Sequence, residues 1–204
     1  MITLAIETSS HQGSVALLSD DGNVLFNESC GAGRSHSSLL FGVLERALQA
    51  VPEGRSIDQI AVGLGPGSYA GVRIAISAAT GLALATGVEL VGLPSLVALA
   101  EGEYVAIGDA RRETFYFTHV RSGECVEGPL LLSAAALAEK LAACGLPVFA
   151  SEEITAQLPV PLELRYPSAE RLARLAAEGR AIVARGDLEP IYLREPHITQ
   201  PKKA

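Results

Sequence analysis

A cluster of polar residues follows the first apolar run of the chain, Ile2 to Ile6. Glu7, Thr8 and Ser9 bring one carboxylate and two hydroxyls to a loop that ends at Gly13. Such groups can cradle a phosphate or orient a metal-bound water. The same residue types also make ordinary turns, and the loop taken alone favours that simpler interpretation. We therefore predict at most a weak or vestigial phosphate-binding site at these three residues.

A glycine-rich turn, G-L-G-P-G-S-Y-A-G-V-R, stands between a predicted buried strand and a predicted helix. Free backbone N–H groups at such a junction can bind an anion. The turn also matches the dinucleotide fingerprint G-x-G-x-x-A, but the next acidic residue precedes its strand instead of closing it. No Walker lysine follows, and a proline breaks the G-x-S-x-G pattern of a hydrolase. We expect mainly a structural turn, made by Gly65, Gly67, Ser68, Gly71 and Arg73.

A second loop, D-A-R-R-E, occupies in the second half of the chain the place that the first loop holds in the first half. Arg111 and Arg112 can bind a phosphate through bidentate hydrogen bonds. Alternatively, they form local ion pairs with Asp109 or Glu113. The sequence leaves these two alternatives open, so Asp109, Arg111 and Arg112 join the candidates for a weak or vestigial phosphate-binding site.

The remaining reactive residues indicate neither a metal site nor a nucleophile. The histidines, His11, His36, His119 and His197, lack the spacing of metal ligands and form no H-E-x-x-H motif. Three widely spaced cysteines argue against a disulfide framework and indicate a reducing compartment. We therefore predict no catalytic residue, no metal and no cofactor, in a cytoplasmic protein.

Short strands and helices must position these loops. Alternating hydrophobicity predicts an antiparallel meander of three strands over Ile2 to Ile6, Ser14 to Leu18 and Val24 to Ser29. A similar pattern restarts at Tyr104, and a gapless alignment of the two runs sets Gly22 against Gly123. This short match suggests a duplication. We place the boundary near residue 100, with domains at 1–100 and 101–204.

Two predicted helices of the first half carry more apolar surface than one small half-domain needs. Ser37 to Val51 is amphipathic, whereas Val72 to Thr86 is apolar on every side of the helical wheel. An exposed apolar patch on a protein usually marks an association surface. We expect Leu40, Ala47 and Ala78 to point outward on these helices and to contact a partner.

Composition limits the classes of function. The chain has 204 residues, 49% of them hydrophobic, and 16 Lys and Arg against 23 Asp and Glu give a net charge of −7. This composition excludes a disordered chain and disfavours autonomous RNA binding, which needs a basic face. The N-terminus lacks the pattern of a signal peptide, and Ile74 to Ala85 is too short to span a bilayer.

Five sequence blocks together resemble one family. I-E-T-S ends the first strand, R-S-H-S-S-L-L leads into the first helix, and G-L-G-P-G-S-Y-A-G-V-R-I, D-A-R-R-E-T-F-Y and P-I-Y-L-R follow in order. These blocks closely resemble the TsaB (YeaZ) family. Ser38 departs from the H-S-E pattern common there. The resemblance implies an α/β fold of the actin-like, sugar-kinase and heat-shock-chaperone (ASKHA) superfamily, built from two ribonuclease-H-like halves.

The resemblance also implies a non-catalytic subunit that a metal-containing paralogue, TsaD, requires when it transfers threonylcarbamoyl to tRNA adenosine, forming t6A. It implies a TsaE-like ATPase in the larger assembly, tRNA contact only through the complex, and a homodimer when TsaD is absent. A small nucleotide-binding phosphotransferase of the same superfamily is the alternative function. The resemblance places the paralogue contact on the two apolar helices, at Leu40, Val43, Leu44, Ala47, Ile74, Ala75, Ala78, Ala79 and Leu82.

Overall fold

A computed structural model describes residues 1–31 and 36–194, without the side chains of residues 36–38. The roles considered for His36, Ser38 and the polar end of the chain lie outside the described residues. The strands are β1 (Ile2–Glu7), β2 (Gly13–Ser19), β3 (Val24–Cys30), β4 (Gln59–Gly63), β5 (Glu89–Leu93), β6 (Glu103–Asp109), β7 (Thr114–Arg121), β8 (Glu124–Ser133), β9 (Val148–Ala150), β10 (Glu163–Leu164) and β11 (Ala184–Arg185). The helices are α1 (His36–Gln49), α2 (Tyr69–Thr86), α3 (Ala134–Cys144) and α4 (Ala169–Ala177), with a 3-10 turn at Ser95–Ala98.

Two sheets form, and their strand orders match. The first sheet runs β11-β5-β4-β1-β2-β3 and the second runs β10-β9-β6-β7-β8. In each sheet an antiparallel meander, β1 to β3 or β6 to β8, is followed by a strand parallel to its first member, β4 or β9. The predicted meanders and the suggested repeat are both confirmed by this pairing.

The second hairpin turn of each half uses a glycine in the left-handed region. Gly22 has φ of 80° and Gly123 has φ of 77°. Because side chains are strained at such angles, a glycine is the favoured residue at both turns. The gapless alignment of these two glycines in the sequence therefore corresponds to one recurring turn.

Alternation along the strands divides the apolar residues among three cores. Ile2, Leu4 and Ile6 face α1 and α2 on one side of the first sheet. The intervening Ala5 faces the opposite side, where α4 and the 3-10 turn lie between the two sheets. A third core, around Ile107, lies between the second sheet and α3. The molecule is thus layered, with helices on both faces of each sheet.

Helix α2 is bounded by clear capping signals. The Ser68 hydroxyl accepts a hydrogen bond from the Gly71 N–H at 3.2 Å, and Gly87 ends the helix in the left-handed conformation. By length and composition α2 would suit a membrane span. One such helix is weak evidence, and its buried residues Ala75 and Ala79 pack against its own sheet.

The end of the described chain returns to the first sheet. Helix α4 packs on β1, β2 and β4, and its first residue donates from its N–H to the Ser14 hydroxyl at 2.9 Å. Strand β11 pairs with β5 at the sheet's edge. A boundary at residue 100 stays a prediction, and residues 169–177 and 184–185 pack with the half that comes first in the sequence.

Candidate functional site

Glu7 ends β1 and lies entirely within the protein, with no exposed surface. One carboxyl oxygen, Oε1, accepts a hydrogen bond from the Ser9 N–H at 2.5 Å, and Oε2 has no hydrogen-bond partner among the described residues. Burial raises the pKa of this carboxyl, while the hydrogen bond from Ser9 acts in the opposite direction. Glu7 is therefore a buried group behind the first loop and does not line a cleft.

Two hydrogen bonds join the first loop to the glycine turn. The Thr8 hydroxyl donates to the Gly71 carbonyl at 2.7 Å, and the Ser68 N–H donates to the Ser9 carbonyl at 2.6 Å. A Cβ on Gly67 would collide with the Ser9 carbonyl, and one on Gly71 with the Thr8 carbonyl. These two glycines are needed because the segments approach too closely for any side chain.

The second loop folds around Asp109. Its carboxylate accepts from the Arg111 N–H at 2.7 Å, and its own N–H donates to Glu152 Oε1 at 2.9 Å. Arg111 and Arg112 are both exposed, and within the described residues neither guanidinium has a carboxylate within 4.0 Å. Of the two alternatives left open by the sequence, the local ion pair with Asp109 or Glu113 is not formed.

The two loops and the glycine turn meet at one cleft of about 500 Å³. Ser9, Gly67, Ser68, Asp109 and Arg111 line it, although they are far apart in the chain. The other candidates, Glu7, Thr8, Gly65, Gly71, Arg73 and Arg112, lie behind or beside the cleft and do not line it.

Part of the cleft wall was missed from the sequence. It includes Tyr116, Ser151 and Glu152 from the second half and the segment 190–194 near the end of the described chain. The P-I-Y-L-R block of the family resemblance covers that last segment, but the sequence analysis predicted no site residue in it. Burial raises the pKa of the Tyr116 hydroxyl, which lies close to Ser151 and Glu152.

Aromatic rings and a cation stand at the mouth of this cleft. Tyr69 and Tyr192 stack with their ring centroids 5.7 Å apart, and the Arg73 guanidinium lies 5.2 Å from the centre of the Tyr69 ring. Arg73 also donates to the Tyr192 hydroxyl at 3.2 Å. The three side chains thus hold the segment 190–194 against the start of α2.

A second, apolar groove of about 710 Å³ lies between α1 and α2. Phe41 and Leu48 form one side of it and Ala78 and Leu82 the other, with Leu44 beneath them. Phe41 is 54% exposed. Phe41, Leu44 and Leu48 follow one helical stripe of α1, so the groove is a continuous apolar surface.

This arrangement corrects the expected outward residues. Leu40 and Ala47, expected to face a partner, are 1% and 0% exposed and pack in the core beneath the helices. The same core holds Val43, Ala75 and Ala79, and Ile74 packs against it. The buried stripe of α1 lies one residue away from the exposed stripe, and the exposed Phe41 and Leu48 were missed.

No group of three or more His, Cys, Asp or Glu side chains that could hold a metal ion occurs within residues 1–31 and 36–194. Cys30, Cys125 and Cys144 are free. Burial raises the pKa of the Cys125 thiol to about 11, which keeps it protonated at neutral pH.

The model of the family TsaD, tRNA N6-adenosine threonylcarbamoyltransferase, matches residues 30–183. YeaZ from Pseudomonas aeruginosa is 27% identical, covers 94% of this chain and 99% of its own, and superposes with a TM-score of 0.72. A second solved structure, described as an uncharacterized Pseudomonas aeruginosa protein similar to peptidase YEAZ, gives 29% identity, a TM-score of 0.73 and coverage of 95% and 99%. The chain belongs to the TsaB (YeaZ) family. The expected family and its α/β fold are thereby confirmed.

Two curated TsaB-family relatives are tRNA threonylcarbamoyladenosine biosynthesis proteins. The Haemophilus influenzae protein is 32% identical over 126 residues, which cover 57% of this chain and 52% of the relative. The Escherichia coli protein is 34% identical over 112 residues, which cover 54% and 48%. The chain spans about half the length of these relatives.

Proposed function

We propose that this TsaB-family chain is a non-catalytic subunit that a TsaD-like transferase requires to form t6A on tRNA. The names of the curated relatives support the pathway, and the apolar groove between α1 and α2 supports a subunit role. That groove is the single observation on which the partner assignment rests. A cytoplasmic location and a TsaE-like ATPase in the larger assembly remain predictions of the same proposal.

The groove suits an apolar protein partner. Its lining is almost wholly apolar, and only Glu45, Gln49 and Ser77 add polar groups. Leu84, beyond the groove on α2, is 83% exposed and extends the apolar surface. Exposed apolar surface of this kind is stabilised when another helical surface covers it. We expect α1 and α2 to pair with two helices of the TsaD-like paralogue, and with a second copy of this chain when the paralogue is absent.

The polar residues of the two loops support a non-catalytic role. The Thr8 and Ser68 hydroxyls hold the glycine turn, and the Glu7 carboxyl holds the Ser9 N–H inside the protein. Side-chain groups that form such buried hydrogen bonds stabilise the fold. Asp109 and Glu152 line the cleft, and their carboxylates would repel the phosphates of a nucleotide, which disfavours the phosphotransferase alternative.

The test is calorimetric titration of the TsaD-like paralogue with this chain and its Phe41→Arg variant. Covering an arginine in this apolar interface should weaken binding. The loss should stay below the roughly 3 to 5 kcal/mol of a wholly unpaired buried charge, because Glu45 lies one helical turn away. Leu131→Arg is the matched control, because Leu131 is 41% exposed on β8, far from the groove. Equal affinity of Phe41→Arg and the wild type would contradict the assignment of the groove.

A further inference from the structure

The arginines of this chain fall into two groups. Seven of the described arginines form salt bridges with carboxylates. Arg73, Arg111, Arg112 and Arg194 form none within the described part of the chain, and all four lie in or beside the cleft. Arg55 is a fifth without such a pair, and it lies elsewhere. In a chain with a net charge of −7, four arginines around one opening that form no salt bridge among the described residues indicate an anionic ligand.

The four arginines stand on both sides of the opening. Arg73 lies on α2 in the first half, and Arg111 and Arg112 lie on the β6–β7 loop of the second half. Arg194 lines the cleft, bonds to the Thr114 hydroxyl, and has a buried Nε with no partner among the described residues. A ligand that meets all of these groups must therefore cross the mouth of the cleft from one half to the other.

The shape of the ligand follows from which groups lie inside the cavity. Arg111 and Arg194 line the cleft, whereas Arg73 and Arg112 lie outside its lining. Within the cavity, Asp109 and Glu152 disfavour a compact polyphosphate. An extended polyanion lying over the rim keeps its charges near the arginines and away from these carboxylates.

The tyrosines beside Arg73 add a second kind of contact. Tyr69 is 58% exposed and Tyr192 is 45% exposed, so about half of each side chain is open to solvent at the cleft mouth. Exposed aromatic rings beside arginines are the elements that bind unpaired bases and phosphates of single-stranded nucleic acid.

We propose that the rim formed by Arg73, Arg111, Arg112 and Arg194, with Tyr69 and Tyr192, binds an RNA strand that crosses the cleft mouth. This inference rests on the proposed function and assigns this chain its own share of the tRNA contact. The net negative charge keeps that contact weak in the isolated chain, and binding depends strongly on salt because it releases counter-ions.

The experiment measures tRNA binding by the full chain, alone at low ionic strength and in complex with the TsaD-like paralogue, over a series of salt concentrations. The test variant is Arg111→Gln/Arg112→Gln. The matched control is Arg165→Gln/Arg180→Gln, which removes the same charge from arginines paired with Glu163 and Glu178. The slope of log Kobs against log salt is negative. The test variant should reduce its magnitude by about 2, one for each lost phosphate contact, and the control should leave it unchanged.

Equal slopes for the test variant and the wild type would overturn the proposal, as would undetectable tRNA binding by the wild-type chain at low salt. Saturable ATP binding that is lost in Arg111→Gln/Arg112→Gln, with tRNA binding unchanged, would also overturn it in favour of a nucleotide site. Association with the paralogue is measured without RNA. That measurement tests the proposed subunit role separately from RNA binding at the rim.

Discussion

The two halves of the molecule share a strand order and differ in the connection between their fourth and fifth strands. In the first half, the 18-residue helix α2 joins β4 to β5. In the second half, residues 151–162 join β9 to β10 without a helix or strand. A sheet with this strand order therefore forms without a helix at that position. The needs of the sheet alone do not account for the exposed apolar side of α2.

The ends of the first strands differ as well. Glu7 of β1 corresponds in the alignment to Gly108 of β6, and a Cβ on Gly108 would collide with the Tyr116 ring. A tyrosine in the second half thus stands where the first half buries a carboxyl. The repeat preserves backbone pairing, while the groups beside the cleft have diverged.

The largest effect should come from breaking the close approach that only the first half contains. Gly67→Val sets side-chain atoms against the Ser9 carbonyl, and we expect a loss of about 3 kcal/mol in the free energy of unfolding. Gly81→Ala is the control, because Gly81 lies on α2 with nothing within 4 Å of an added Cβ. It should stabilise the helix by up to about 1 kcal/mol. Urea denaturation measures both, and comparable stability of the two variants would contradict this account.

The next effect concerns the core that both halves share. The Tyr104 hydroxyl donates to the Leu96 carbonyl at 2.7 Å, and its burial raises its pKa to about 12. Tyr104→Phe leaves that buried carbonyl without a partner, so we expect a loss of about 2 kcal/mol in thermal or urea unfolding. Tyr69→Phe, at an exposed ring, should be nearly neutral. If both changes had the same effect, the hydroxyl of Tyr104 would not support the shared core.

The last effect depends on pH and concerns a group of the first half. Because the pKa of Glu7 is raised, the folded protein holds this proton more tightly than the unfolded chain. The stabilisation that comes from this bound proton is complete at pH values below the ordinary carboxyl pKa. It is lost as the pH rises through the raised pKa of Glu7 in the folded protein. The slope reaches at most about 1.4 kcal/mol per pH unit.

Glu7→Gln removes this titration, so its free energy of unfolding relative to the wild type should rise between pH 4.5 and pH 8. Glu28→Gln is the comparison, because the Arg46 hydrogen bond lowers the pKa of Glu28 and no such rise is expected. Urea denaturation at several pH values measures both. A constant difference for Glu7→Gln would show that the buried carboxyl does not titrate in this range.

The sequence predicted the sheets well because their determinants are local. Period-two alternation located all three strands of the first meander, and the turn glycines Gly22 and Gly123 aligned the halves. Helices α3 and α4 likewise begin at serine caps, Ser133 and Ser168. Each of these signals depends on a few neighbouring residues.

The helix faces and the cleft were harder to predict. Leu40 and Phe41 are adjacent and equally apolar, and only the position of the sheet decides that the first is buried and the second is exposed. Glu152 reaches the cleft because β9, which it follows, pairs with β6 across a long separation in the sequence. Sequence periodicity carries no information on such distant contacts.

The return of α4 and β11 to the first sheet sets an order of assembly on the ribosome. Residues 1–93 supply five strands of that sheet, but α4 covers one of its faces and β11 closes one of its edges. Both are synthesised only after the whole second meander has emerged. Until residue 185 has been synthesised, one face and one edge of the first sheet therefore stay uncovered. A chain whose synthesis stops before that point exposes this sheet to aggregation.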